Sequence, residues 1–388
     1  PHDSNVVYHA ANKLLKSTYR GEGWTEISPD LTTNDKTKLT TGKGGDGNIT
    51  YCTITSIDES PLVRDLIWVG TDDGNVQVTK DGGKTWTKLN DKIPGNPGFW
   101  VSRVVASSHA PGTAYVTFTG LRNDDFRPFV YKTTDFGQTW TSIVGNLPAK
   151  SVNVIREDPY NPNLLFVGMD FGLFVTIDGG RTWQEMKNGM PTQPVYDLQI
   201  HPRERDLIVA THGRGIFITD ISALEEVSDQ TLGRDFHLFD VESKVKWVVR
   251  RGNVAASTNF DGESEPNGVL INYFQKAPAA GDVTVKVMQG SRVVAETKGP
   301  NGAGMNQVLW NMRATPVTIP GQAAAPATGR GGMGGGGFRG QQAPAAYPTF
   351  GGTIPADVGE YTVIVTAGGK SQSKTFRLIE DAWFDRMF

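Results

Sequence analysis

Three stretches of this chain read almost identically, and they constrain its fold more than any other feature. Thr79-Lys-Asp-Gly-Gly-Lys-Thr-Trp86, Thr133-Thr-Asp-Phe-Gly-Gln-Thr-Trp140 and Thr176-Ile-Asp-Gly-Gly-Arg-Thr-Trp183 share the pattern Ser/Thr-x-Asp-x-Gly-x-Thr-Trp. A fourth copy, Ser17 to Trp24, keeps the serine, a glycine and the tryptophan but has Tyr19 in place of the aspartate. The chemistry is that of a hairpin: aspartate accepts from turn N–H groups, glycine supplies a positive φ, and tryptophan anchors the strand that follows. Asp81, Trp86, Asp135, Trp140, Asp178 and Trp183 therefore read as structural residues, not as metal ligands or acids.

Around each copy a longer unit recurs. A first strand leads through a Pro-containing turn to a second, a Gly-rich turn leads to a third, and the third enters the repeated motif from which a fourth leaves. In one unit these are Val152–Arg156, Leu164–Gly168, Leu173–Thr176 and Thr182–Met186. The last unit, Val195–Ile200, Leu207–Thr211 and Gly215–Thr219, has three strands and no motif. A four-strand period predicts propeller blades. The first unit begins at its Pro turn without a first strand, and the last lacks its fourth. Residues 1–222 are thus expected to form an arc of about five blades of a larger ring.

After Asp220 the repeat stops. Residues 223–267 read as a linker with one strand-like run at Lys244–Arg250, and alternation returns over 268–388 in six or seven short strands, the pattern of a β-sandwich. Within it, residues 315–354 are rich in Gly, Ala and Pro and read as a loosely packed loop. The composition agrees with an all-β chain: 10% aromatic residues, 46 Gly and 22 Pro in 388 residues. A net charge of −3 predicts neither nucleic-acid binding nor capture by an anionic membrane. Cys52 is the only cysteine and the six histidines have no ligand spacing, so no disulfide, metal site or cofactor is expected. No apolar run is long enough to span a bilayer. The chain opens at Pro1 without a signal-peptide pattern, as a mature or truncated chain does.

The repeated motif is similar to the Asp-box, and the chain resembles the bacterial sortilin-type Asp-box propeller proteins, often labelled glycosyl-hydrolase-like. The stretches that carry this are Ile67-Trp-Val-Gly-Thr-Asp-Asp-Gly-Asn75, Asp124-Asp-Phe-Arg-Pro-Phe-Val-Tyr-Lys-Thr133, Val154-Ile-Arg-Glu-Asp-Pro159 and Ala210-Thr-His-Gly-Arg-Gly-Ile-Phe217. Asn267-Gly-Val-Leu-Ile-Asn-Tyr273 and Gly359-Glu-Tyr-Thr-Val363 resemble the immunoglobulin-like sandwich that follows the propeller in that family. The resemblance implies the fold and a periplasmic or secreted setting.

In a propeller the motif lies on one face of the disc, and the turns between second and third strands lie on the other. That second face is expected to display Trp100, Arg103, Arg127, Asp170, Phe171, Tyr196, Asp197, His212 and Arg214 as a ligand-binding surface. A glycosidase needs two carboxylates about 5–10 Å apart. Asp72 and Asp170 occupy equivalent places in their units, and similar aspartates serve as acid and base in some Asp-box xyloglucanases. Both are read as solvent-rich turn residues that stay ionised, which argues against catalysis. His212 reads as a turn histidine, and Gly44–Gly47 and Gly329–Gly340 as a surface turn and a loop. The function expected is binding of a protein partner or glycan, as a scaffold or an accessory subunit of a larger envelope or membrane complex. The alternative is a polysaccharide-active glycoside hydrolase.

Overall fold

A computed structural model describes residues 1–41, 51–187, 189–247, 267–316 and 353–382. The expected Gly-rich turn at 44–47 and, of the expected Gly/Ala/Pro-rich loop 315–354, residues 317–352 lie outside them. Two compact units are present, Pro1–Glu226 and Val227–Phe388.

The first unit is a series of antiparallel meanders. β1 (Val7–Ala10), β2 (Leu14–Ser17) and β3 (Thr25–Glu26) form one sheet, and β4 (Ile54–Glu59), β5 (Ile67–Thr71), β6 (Val76–Thr79) and β7 (Thr87–Lys88) the second. β8 (Trp100–Ala106), β9 (Ala114–Gly120), β10 (Asp125–Thr133) and β11 (Thr141–Ser142) form the third. The fourth holds β12 (Val152–Glu157), β13 (Leu165–Met169), β14 (Gly172–Thr176) and β15 (Gln184–Met186). β16 (Val195–His201), β17 (Asp206–Thr211) and β18 (Ile216–Asp220) complete the fifth. The first and last sheets have three strands each, as the repeat count predicts.

Sheets pack face to face in chain order, with β4 against β8, β8 against β12 and β12 against β16. Each interface has its own core. Trp68, Val76, Val101 and Phe118 fill that between sheets two and three, and Phe166, Leu173, Val195 and Leu207 that between four and five. The far face of sheet five leaves Ile216 and Ile218 68% and 64% exposed, so the described sheets form an arc and not a sealed ring.

Every complete inner strand carries a register shift at the same place, between Ile54 and Ser56, Val101 and Arg103, Val152 and Val154, and Val195 and Asp197. The bulged residue then reaches the next sheet. Thr55 Oγ1 donates to Val101 O (3.2 Å), Ser102 Oγ to Val152 O (2.9 Å) and Asn153 Nδ2 to Val195 O (3.2 Å). A second link comes from the Asp-box. In the fourth sheet Asp178 accepts from Thr176 Oγ1 at 2.7 Å, Thr182 Oγ1 at 2.6 Å and Thr182 N at 3.0 Å. Asp81 and Asp135 do the same with their own threonines. Trp86 Nε1 and Trp183 Nε1 donate back to the preceding sheet, to Ile27 O (3.1 Å) and Ile143 O (2.9 Å). Trp140 instead packs edge-on against Trp68, ring centroids 6.1 Å apart. The second glycine of the box needs both its φ of +96° at Gly180 and its missing Cβ, which would lie 2.8 Å from Ile143 Cβ.

The second unit has two larger sheets around one core and a two-stranded one, Arg313–Ala314 paired with Ile354–Pro355. One sheet joins Phe236–Leu238, Val269–Gln275 and Gly304–Trp310. The other orders Lys244–Lys246, Lys370–Glu380, Gly359–Ala367, Val283–Gln289 and Arg292–Gly299. Trp310, Tyr361 and Phe376 pack together at their shared centre, with Tyr361 and Phe376 stacked at 5.7 Å. Phe236–Leu238 and Lys244–Lys246 lie in the segment read from sequence as a linker. They pair with Val269–Gln275 and, in parallel, with Lys370–Glu380.

Candidate functional site

Because strands alternate in direction, the turns β5–β6, β13–β14 and β17–β18 share the face opposite the Asp-boxes. Asp72, Asp170 and His212 hold equivalent places there. Their N–H groups donate to the carbonyl of the residue that precedes each inner strand: Thr53 at 3.0 Å, Ser151 at 3.1 Å and Pro194 at 3.0 Å.

The side chains then diverge. Asp72 is not the solvent-rich turn residue the sequence suggested. It is 4% exposed, and its Oδ1 accepts from Thr53 N at 2.8 Å. Burial pushes its carboxyl up to about 6; the Thr53 N–H partly offsets this and the neighbouring Asp73 reinforces it. The expectation that nothing raises its pKa is therefore corrected: the loop around Thr33 and Thr53 closes over the turn, with Asp73 Oδ2 accepting from Thr33 N (2.6 Å) and Oγ1 (2.7 Å). Asp170 is not solvent-rich either: it is 6% exposed, and its Oδ1 accepts from Asn153 Nδ2 at 3.1 Å.

Asp170 borders a cavity of about 540 Å³ between the third, fourth and fifth sheets, lined also by Phe126, Lys150, Ser151, Phe171 and Tyr196. Phe126, Phe171 and Tyr196 are 49%, 49% and 47% exposed, so all three rings offer area to a ligand. Lys150 Nζ lies 4.3 Å from the centre of the Phe171 ring, and Tyr196 packs against His212 at 5.2 Å. Asp170, Phe171 and Tyr196 border this cavity, and His212 packs on Tyr196.

The other expected residues go elsewhere. Arg103 is paired to Asp197 at 2.7 Å, joining the third and fifth inner strands. Arg127 is paired to Asp125 on its own strand at 2.5 Å. Trp100 lies under Arg122, 4.0 Å from the guanidinium carbon. Arg214 is exposed in the β17–β18 turn. Asp72 is not among the residues that line the cavity, and the third sheet separates its own sheet from that of Asp170. A second cavity of about 300 Å³ lies where the inner strands end, lined by Asp58, Glu59, Arg156 and Glu157. Burial pushes Asp58 up to about 6 against the opposing pull of Ala106 N–H and Arg156. Among the described residues no group of three or more His, Cys, Asp or Glu side chains could hold a metal ion. No helix among them is long and apolar enough to cross a membrane.

Successive antiparallel sheets, three of them carrying an Asp-box turn, define this protein as an Asp-box β-propeller with an appended β-sheet unit. The repeats resemble those of the sortilin-type Asp-box proteins. Residues 129–280 match the family described as "Sortilin, neurotensin receptor 3", and residues 77–88 match the BNR/Asp-box repeat. Over 87 residues the chain is 29% identical to the oligoxyloglucan-reducing end-specific xyloglucanase of Emericella nidulans, which is 22% of this chain and 10% of that enzyme. The solved GH74 enzyme of Niastella koreensis is similar at 25% identity and a TM-score of 0.43, over 57% of this chain and 35% of that one. The GH74 xyloglucanase of Xanthomonas campestris is similar at 19% identity and a TM-score of 0.45, over 56% and 35%. The chain therefore spans well under half the length of each.

Proposed function

We propose that the turn face of this propeller binds a polysaccharide chain in an extracytoplasmic setting. The observation that carries the reading is the cavity beside Asp170, where three half-exposed rings from three different sheets surround one carboxylate. Aromatic faces suit the C–H faces of sugars, and polar groups between them fix orientation. The local similarity to a xyloglucanase supports a glycan over a protein as the ligand. Affinity electrophoresis of the chain through xyloglucan and mixed-linkage β-glucan gels tests this. Retardation should be lost on Phe171→Ala or Tyr196→Ala, each weakening binding about tenfold, the scale of an aromatic contact. Free migration of the wild type through every gel in a neutral and acidic glycan panel would refute the reading.

A glycoside hydrolase is the second reading, and one observation favours it: the 29% identity to a xyloglucanase over 87 residues. Asp170, which borders the cavity, is the carboxylate at the sugar in this reading, and Asp72, outside the cavity, is not. New reducing ends that disappear in Asp170→Asn and persist in Asp72→Asn would establish it.

A further inference from the structure

Ser151, in the wall of the Asp170 cavity, and Gln193, next in sequence to Pro194 of that wall, carry polar atoms that no described residue partners. Ser151 is fully buried, lines the cavity, and its Oγ has no hydrogen-bond partner among the described residues. Gln193 is 5% exposed, and neither Nε2 nor Oε1 of its side chain has a partner among them. The two residues flank the same turn. Ser151 O accepts from Asp170 N at 3.1 Å, and Gln193 O accepts from Gly172 N at 3.2 Å. Gln193 also immediately precedes Pro194, which forms part of the cavity wall. Leaving a buried polar group unpaired costs about 1–3 kcal/mol each, so three such atoms at one turn call for a partner from outside the chain.

We propose that Ser151 and Gln193 are the specificity residues of the cavity, reading the hydroxyl groups of a neutral sugar seated against Phe171 and Tyr196. This rests on the glycan reading above and adds the class of sugar. A serine hydroxyl and a carboxamide each donate and accept, and so does a sugar hydroxyl. Asp170 can only accept while ionised, and one of its oxygens is already held by Asn153. It therefore accepts a hydrogen bond from a sugar hydroxyl but has no donor to offer the carboxylate of a uronic acid. Neutral glucan-type chains fit this set, and polyuronates do not.

The test is isothermal titration of the whole chain with cellohexaose, a xyloglucan oligosaccharide and hexagalacturonate. The wild type should bind a neutral probe at least about tenfold more tightly than the uronate. Ser151→Ala and Gln193→Leu should each weaken the neutral probe about tenfold, and Ser151→Thr, which restores a hydroxyl, should recover most of it. In the absence of sugar neither Ser151→Ala nor Gln193→Leu should lower the melting temperature, since each replaces an unpaired polar group by an apolar one. Wild-type binding with unchanged affinity in both variants would overturn this proposal and leave the glycan reading standing. A preference for the uronate would also overturn it. A wild type that binds none of the probes would overturn both.

Discussion

Replacing Asp178 by alanine should weaken the fourth blade by about 2 kcal/mol without touching the ligand face. The carboxylate accepts four hydrogen bonds, from Thr176 Oγ1 at 2.7 Å, Arg181 N at 2.9 Å, Thr182 N at 3.0 Å and Thr182 Oγ1 at 2.6 Å. The donors at Arg181 and Thr182 belong to exposed residues, so water can replace the lost acceptor at about 0.5 kcal/mol each. Thr176 is buried, and its hydroxyl adds about 1 kcal/mol. Asp178→Asn separates the contributions, because three of the four bonds converge on Oδ1, which an amide oxygen can replace. It should lose less than half as much. Burial tends to raise the Asp178 carboxyl, but bonds from Thr182 and Thr176 outweigh it and hold it below the usual range. A depressed carboxyl stabilises the fold above the unfolded value of about 4 and loses that contribution as pH falls through its folded value. The gap between wild type and Asp178→Ala should therefore close in acid. Urea titration read by tryptophan fluorescence is the assay, since Trp183 is 3% exposed and bonded to the sheet in front. Equal urea midpoints for wild type, Asp178→Ala and Asp178→Asn at neutral pH would refute the structural role of the box carboxylate.

Gly180→Ala should cost more than Asp178→Ala, about 2–4 kcal/mol. It combines the strain of an L-residue at a φ of +96° with a Cβ placed 2.8 Å from Ile143 Cβ, and the same urea titration ranks the two. Asp72, raised to about 6 by burial, makes the folded chain bind its proton more tightly than the unfolded one. The fall in stability as pH rises from about 4 to 6 should be about 1 kcal/mol smaller in Asp72→Asn than in the wild type, both keeping the contribution of Asp58; parallel pH profiles would contradict the burial. Glu225 and Asp158 are buried against each other, and burial first and then Asp158 raise Glu225 to about 7, opposed by its ion pair with Arg205. Stability from this contact is present in acid and lost as pH rises through 7. Hydrogen-exchange protection in Ser222–Glu225, taken relative to the intrinsic exchange rate at each pH, should fall over that range in the wild type and not in Asp158→Asn.

The repeats were legible because hairpin chemistry is local: threonine, aspartate and glycine within eight positions determine the turn wherever it sits. The strand count followed from the same period, including the missing strands at either end of the arc. Burial of Asp72 was not legible, because it depends on Thr33 and Thr53, far from the turn in sequence. The ion pairs that withdraw Arg103 and Arg127 from the ligand face also escaped notice. One partner, Asp197, lies across the propeller, and the other, Asp125, competes with a ligand only once strand β10 is in place. Phe236–Leu238 escaped for a related reason, since a three-residue strand carries little periodic signal; the run at Lys244 was legible as a strand, but not its partner at the far end of the chain. Ser151 and Gln193 have no signature at all, since their interest lies in the hydrogen bonds they do not make.

What distinguishes the fourth sheet is a single substitution in an otherwise repeated frame. At the inner-strand bulge Thr55 and Ser102 are short, and each hydroxyl bonds the carbonyl of the sheet that follows. Asn153 keeps that bond to Val195 O and, having a second proton on the same amide nitrogen, also holds Asp170 Oδ1. In the second sheet, where the bulged residue is threonine, the equivalent Asp72 turns back onto Thr53 N and is buried. In the fourth, asparagine draws the carboxylate toward itself and leaves it beside the cavity. The same backbone geometry thus yields a strand-capping carboxylate in one blade and a ligand-facing one two blades on. Repetition supplies the rigid platform, and the departure from repetition at Asn153 gives the face a polar centre.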